Sequence, residues 1–309
     1  MTYPLAYPLA SMNASGICLQ MEASGCNSGD DYSAVLDYPK TPSKRAGRGI
    51  ARRHRQQLSA RDLAVIASVG SYRYLAARQI EELHFHAHAT PLTAARACRR
   101  ALERLTEAEL LWRLKRRIGG VQAGSASYVY ALAPLGQRVL LGDETERRVR
   151  RHEPSAEFLD HALSVAELVV ELHQLNRQKG NMDLLNVAPE PDCWRKFGAG
   201  LEGVRTLKPD LSVVLQVGDY EYRWFVEMDL STHSAAAVVR KCRIYDRYWA
   251  AGIEQDRHGL FPMVLIVTPS ARRTELLKRT ISRASHLNTE LFVVATTTDA
   301  TAFLTGAAS

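Results

Sequence analysis

The sequence predicts a two-domain α/β protein: a mostly helical N-terminal domain, then a larger α/β domain with a mixed sheet. Three observations carry this. Apolar residues recur at three- to four-residue spacing between 58 and 105, which is helical periodicity. Two short apolar runs, 110–114 and 128–132, then flank a basic glycine-containing turn. Beyond residue 154, long amphipathic stretches alternate with strand-like runs, and 263–268 is continuously apolar, as in a strand buried on both faces. A chain of 309 residues is long for one domain and fits two.

Charge is distributed unevenly. Between Lys44 and Arg117 stand 17 Lys and Arg against six acids, a net +11, while the rest of the chain sums to −4. Such asymmetry is the electrostatic footprint of a nucleic-acid-binding module. No run of 18 apolar residues occurs, so no spanning helix is expected, and no basic start leads into an apolar block as in a secretory signal. The five cysteines (Cys18, Cys26, Cys98, Cys193, Cys242) are scattered and form no CxxC, which argues against a disulfide framework or zinc knuckle and fits a reducing cytoplasm.

Taken in order, residues 1–57 have no sustained apolar period and are expected to be a disordered, basic tail or linker. Ser59 can cap a helix carrying Leu63, Ile66 and Val69 inward, and 74–83 reads as a second short helix. Thr90-Pro91 opens a third, with Leu92, Ala95, Cys98, Leu102 and Leu105 expected as its buried stripe and Arg96, Arg99, Arg100 and Glu103 opposite. Three helices followed by a hairpin with a basic tip is the winged helix-turn-helix order, assigned to 58–135. In such a module Arg96, Arg99 and Arg100 enter the major groove of double-stranded DNA, while Lys115, Arg116 and Arg117 reach phosphates or an adjacent groove. A bland three-helix domain has no need of three cations at a loop tip. Residues 136–153 read as a linker, and 154–309 as the second domain.

In that domain a helix runs to about residue 178, followed by a weak strand over 183–188 and a hairpin of strands, 207–217 and 220–229, turning at Gly218-Asp219. Helix 232–249, strand 263–268, helix 270–285 and strand 291–296 complete it. Asp210 begins one hairpin strand, and Glu227 and Asp229 end the other on one face. Such carboxylates can converge on Mg²⁺ or Mn²⁺, which prefer oxygen ligands and can activate water against a phosphodiester. Glu167 on the preceding helix is a further candidate ligand, and Lys241 a candidate to stabilise developing charge. Solvated strand-end acids are the plain alternative. The His84, His86, His88 run has no neighbouring Cys and reads as a surface loop, and no phosphate-loop or nucleophile-elbow motif occurs.

In combination, residues 74–80 (YLAARQI), 99–105 (RRALERL), 161–168 (HALSVAEL), Lys208-Pro209-Asp210, 225–229 (FVEMD), and Lys241 followed by Tyr245 resemble the replication-relaxation family of actinobacterial plasmids and integrated mobile elements. The resemblance covers about 58–300. It implies a winged helix joined to a restriction-endonuclease-like domain, associated with plasmid replication and DNA relaxation. Asp210 and Glu227 match the two metal-binding acids of the nuclease pattern. That pattern wants Lys at 229, where this chain has Asp, and Lys241 is the candidate replacement. Two expectations result: a DNA-binding replication or mobilisation factor that nicks DNA with a divalent metal, or a non-enzymatic DNA-binding regulator or scaffold. Double-stranded DNA is the expected partner, with a homodimer or other replication and mobilisation proteins beside it, and no membrane.

Overall fold

In the computed structural model the described residues are 7–8, 48–118, 127–142, 151–198 and 203–308. The first unit starts with helix α1 (Arg48–Gln57) and helix α2 (Ala60–Tyr72). Ser59 caps α2 in a capping box with Asp62, whose carboxylate also receives Arg104 at 2.6 Å. Strand β2 (Tyr74–Ala76) and helix α3 (Ala77–His84) follow; a two-residue strand β1 (Tyr7–Pro8) precedes all of these. Helix α4 (Pro91–Glu107) is capped by Thr90 with Pro91 at its first turn. Strands β3 (Leu111–Ile118) and β4 (Ser127–Leu132) form a hairpin, and β4 also pairs with β2, giving the order β2-β4-β3. Val65, Ile66, Val69, Ile80, Leu102 and Leu105 meet in one core.

Four expectations change here. Residues 48–57, read as tail, are helical: Ala51 is buried, and Arg55 Nη1 donates to the carbonyls of Val139 and Leu140. Those carbonyls belong to helix α5 (Pro134–Leu141), which occupies what reads as linker. Pro134 opens this helix, since a first-turn proline forfeits no hydrogen bond. Gly136 is required because a Cβ there would stand 2.1 Å from the Leu110 carbonyl oxygen. Tyr74–Ala76 leave the second helix to form β2, because pairing with β4 satisfies their backbone. Leu92, expected inward, is 61% exposed, and Ala94 and Ala101 take buried positions on α4 instead. Residues 119–126 at the hairpin tip, the side chains of Arg116 and Arg117, and residues 143–150 lie outside the described residues.

The second unit opens with helix α6 (Ala156–Gln178), capped by Ser155, and continues through strands β5 (Met182–Pro189), β6 (Arg195–Phe197), β7 (Arg205–Leu207), β8 (Leu211–Val217) and β9 (Tyr220–Met228). Helices α7 (Ala235–Ala250) and α8 (Ile253–His258), strand β10 (Met263–Thr268), helix α9 (Ala271–Ser282), strand β11 (Phe292–Thr296) and helix α10 (Ala300–Leu304) complete it. The sheet is mixed, in the order β11-β10-β9-β8-β5, with β1 beside one end of β9. Strands β5, β8 and β9 pair antiparallel, and β9, β10 and β11 parallel.

Strand alternation sorts the side chains into three layers. Val213, Leu215, Trp224 and Val226 pack against Val169 and Leu172 of α6 and Leu304 of α10. Phe225, Val264 and Ile266 face the opposite way, onto Tyr245, Tyr248 and Cys242 of α7 and Leu277 of α9. The two units share packing as well. Tyr74, Val129 and Ala131 of the first form one apolar cluster with Leu159 and Leu163 of α6, and buried Gln79 donates to the Leu163 carbonyl at 2.9 Å. Among the described residues no helix is long and apolar enough to cross a membrane.

Candidate functional site

The antiparallel register of β8 and β9 sets Leu211 opposite Val226, so Asp210 and Glu227 fall opposite each other one step further on. Directly opposed residues bring their Cβ atoms to about 5 Å, so two carboxylates here must answer for each other's charge. The Asp210 backbone N–H donates to the Val226 carbonyl at 3.1 Å, and its Oδ2 accepts the Met228 N–H at 2.7 Å, which fixes the side chain across the end of β9. Asp210 is 9% exposed and Glu227 7%.

Cations and donors arrive from both helical layers. Lys241 and Tyr245, one turn apart on α7, both hydrogen-bond to Glu227, the lysine Nζ to Oε2 and the phenol to Oε1. The same Nζ stands 3.8 Å from Asp210 Oδ1. From α6, His161 Nε2 lies 3.4 Å from Asp210 Oδ1. Burial raises the Glu227 carboxyl to about 8, Asp210 adding to the rise and Lys241 and Tyr245 opposing it. Burial also works to raise Asp210, but the His161 hydrogen bond, the Lys241 charge and the Met228 N–H outweigh it and hold that carboxyl below its ordinary value. The pair is thus split: one acid stays ionised while its neighbour holds a proton near neutrality. Environments that push two facing carboxyls apart in this way characterise acid–base and metal sites.

Asp229 and Glu167 are not brought to this cluster. Strand β9 ends at Met228, Ser231 takes a positive φ of 65°, and the Asp229 carboxylate is directed to α9, where Arg273 binds it at 2.7 Å and 3.3 Å. The Ser231 N–H, at 3.0 Å from Oδ1, closes that arrangement, and Arg273 also donates to the His233 carbonyl. The two-residue spacing places 227 and 229 on one face only while the strand continues. Glu167 lies six residues beyond His161 on α6, about 9 Å further along the axis. It is held there by Arg78 and by Gln79 Nε2 at 3.0 Å, as part of the contact between the units. The four acids Asp210, Glu227, Asp229 and Glu167 therefore do not converge. Among the described residues no three His, Cys, Asp or Glu side chains form a metal-ligand group.

Arg96, Arg99 and Arg100 stand exposed along α4, and Lys115 is exposed on β3. Arg104, by contrast, is paired with Asp62. In the histidine run, His84 is hydrogen-bonded to Ser68 at 2.9 Å and burial lowers it to about 4, while His88 stacks on Phe85 and meets Arg61 at 3.1 Å. His161 and Tyr245 are the site residues that the residue chemistry alone does not single out. Tyr245 has a legible signal, its place one turn after Lys241. His161 enters only as the first residue of the 161–168 segment, and nothing in its spacing links it to Asp210, which lies far along the chain on another element.

A helical unit with a three-stranded sheet, packed on a mixed-sheet α/β unit that buries opposed carboxylates beside a lysine, is the architecture these observations define. The chain matches the family described as replication-relaxation over residues 66–264, from α2 into β10, and belongs to that family. The matched span includes α4, both acids, Lys241 and Tyr245. No curated protein and no solved structure matches the chain.

Proposed function

We propose that this is a DNA-binding protein of plasmid or mobile-element replication or mobilisation, whose second unit nicks DNA with a divalent metal. The first unit has the element order of a winged helix-turn-helix, with α4 as the helix offered to the major groove and the β3–β4 hairpin as the wing. Exposed Arg96, Arg99 and Arg100 on α4, within a segment of net +11, support duplex DNA as its partner. The second unit reads as restriction-endonuclease-like, with Asp210 and Glu227 in the places of the two metal-binding acids.

The observation that carries the catalytic reading is the convergence of Asp210, Glu227 and Lys241 from two strands and a helix. The donor set fits a hard cation: two opposed carboxylates, one of them ionised, suit Mg²⁺ or Mn²⁺, which are commonly held by one or two carboxylates with water and phosphate oxygens. Asp210 and Glu227 would hold it; when bound it supplies an activated water and neutralises charge on the leaving oxygen. Lys241 supplies a fixed positive charge against the charge that develops on the phosphate. Tyr245 orients Glu227, and the Met228 N–H orients Asp210. Lys241, close to both acids, is the candidate replacement for the lysine that the nuclease pattern wants at 229.

One observation favours the second reading, a non-enzymatic DNA-binding regulator or scaffold. Asp229 stands where that pattern wants lysine and is committed to Arg273. Incubating the full chain with supercoiled plasmid separates the two. Nicked circles appearing with Mn²⁺, absent with chelator and absent for Glu227→Gln, are the expected result. Intact supercoiled DNA in every lane, from protein that binds the plasmid, would leave the regulator.

A further inference from the structure

Asp210 lines a small cleft between the two units. Its walls come from the end of α2, from α6 and from the end of β5, and include Tyr72, Arg73, His161, Glu190 and Asp210 itself. Arg73 belongs to the first unit and its backbone is unusual there: φ is 64° and ψ −44° between helix and strand, a conformation that a non-glycine residue adopts only under strain. Such strain persists where the surroundings hold it, and here they hold the side chain between Glu190 and the Phe158 ring. The Arg73 guanidinium meets Glu190 Oε1 at 3.3 Å and lies 5.9 Å from the centre of the Phe158 ring, with 38% of the side chain still exposed.

From this geometry we infer that the mouth of this cleft is a phosphodiester-binding site in which Arg73, supplied by the helical unit and half-exposed, grips a DNA backbone phosphate on the side of Asp210. The inference rests on the DNA-cutting reading above and deepens it, making the site a composite of both units. Arg73 and Asp210 line the same cleft, so a phosphodiester seated at its mouth meets the guanidinium. Ionised Asp210 and Glu190 on the cleft wall would repel a phosphate, so a cation at the entrance favours its approach, and an arginine fork matches phosphate oxygens in a two-point contact. Glu190 holds the guanidinium in place until the phosphate exchanges for it. His161, beside Asp210, lines the same cleft. Arg73 is thus a binding residue that its distance in sequence from the acids conceals.

The test is a salt series of binding of a labelled duplex to the full chain without divalent metal, comparing wild type with Arg73→Gly, Arg73→Lys and Glu190→Gln. Glycine removes the charge and also relieves the positive φ, so the turn from α2 into β2 keeps its backbone. Each phosphate contact contributes about 0.9 to the slope of log affinity against log salt. Arg73→Gly is expected to lower the slope by about that amount and weaken binding about tenfold at moderate salt, equally for unrelated sequences. Arg73→Lys should retain the slope. Glu190→Gln should tighten binding, and the gain should vanish when combined with Arg73→Gly. An unchanged slope and affinity in Arg73→Gly, whatever its melting temperature, would reduce the Arg73–Glu190 pair to a bridge between the units and overturn the inference while leaving DNA binding intact. A wild-type chain with no salt-dependent affinity for the duplex would overturn both, and that result is read before any variant is compared.

Discussion

Replacing Lys241 with Met is expected to slow plasmid nicking by about 10²–10³-fold, the usual cost of removing one fixed group that stabilises transition-state charge. Divalent-cation binding should survive the change. The lysine sits between Glu227 and Asp210, and its removal withdraws a positive charge that competes with the metal for both carboxylates. The structural role is small by comparison, since Lys241 is 40% exposed at its side chain and methionine is a good helix former. Nicking rate and Mn²⁺ affinity, measured on the same preparation, give the answer. Loss of both together would mean that Lys241 shapes the pocket rather than acting on the phosphate. An unchanged rate would remove it from the reaction.

Arg273→Leu is expected to destabilise the chain by about 3–5 kcal/mol, the range found when one member of a buried ion pair is deleted and the other charge is left unmatched. Both side chains are largely buried, at 10% exposure for Arg273 and 6% for Asp229, and two further hydrogen bonds depend on the pair. These tie down residues 229–234, the lead-in to α7, which carries Lys241 and Tyr245. Chemical denaturation reads the effect. The double variant Asp229→Leu, Arg273→Leu should recover much of the loss, because removing both partners leaves no uncompensated charge. A loss of well under 1 kcal/mol in the single variant would show that Asp229 is free to serve elsewhere, which is the role the strand spacing alone gives it.

Glu227 and its neighbours separate what the residue pattern discloses from what it conceals. The pairing of Glu227 with Asp210 was legible because a tight Gly218-Asp219 turn fixes a hairpin register, and the register fixes which residues oppose each other. Lys241 was legible as a cation of the right kind, though nothing in its spacing shows that α7 packs on the face carrying Glu227. Asp229 was misplaced because a period of two holds only inside a strand, and β9 stops at Met228. Glu167 was misplaced because its partners, Arg78 and Gln79, come from the other unit. Helix α1 was hidden by its composition: five of its ten residues are Arg or His, and among its described side chains only Ala51 is buried. Residue pattern reports local periodicity well and contacts between units hardly at all, and Arg73 at the cleft belongs to the second kind.

The central claim is that Asp210 and Glu227 make a divalent-cation site, and Mn²⁺ titrated calorimetrically into the full chain at pH 7 and pH 9 tests it most directly. Glu227 is raised to about 8, so it must lose a proton before it can serve as a ligand. In the metal-free protein this group also opposes the fold as pH climbs from its ordinary range near 4.5 to about 8, because the unfolded chain ionises first. A bound cation reverses that bias. The expected result is saturable binding that is tighter at pH 9 than at pH 7, with proton release at the lower pH, and its loss in Asp210→Asn. Absence of binding at both pH values, or binding that Asp210→Asn leaves unchanged, would contradict the claim.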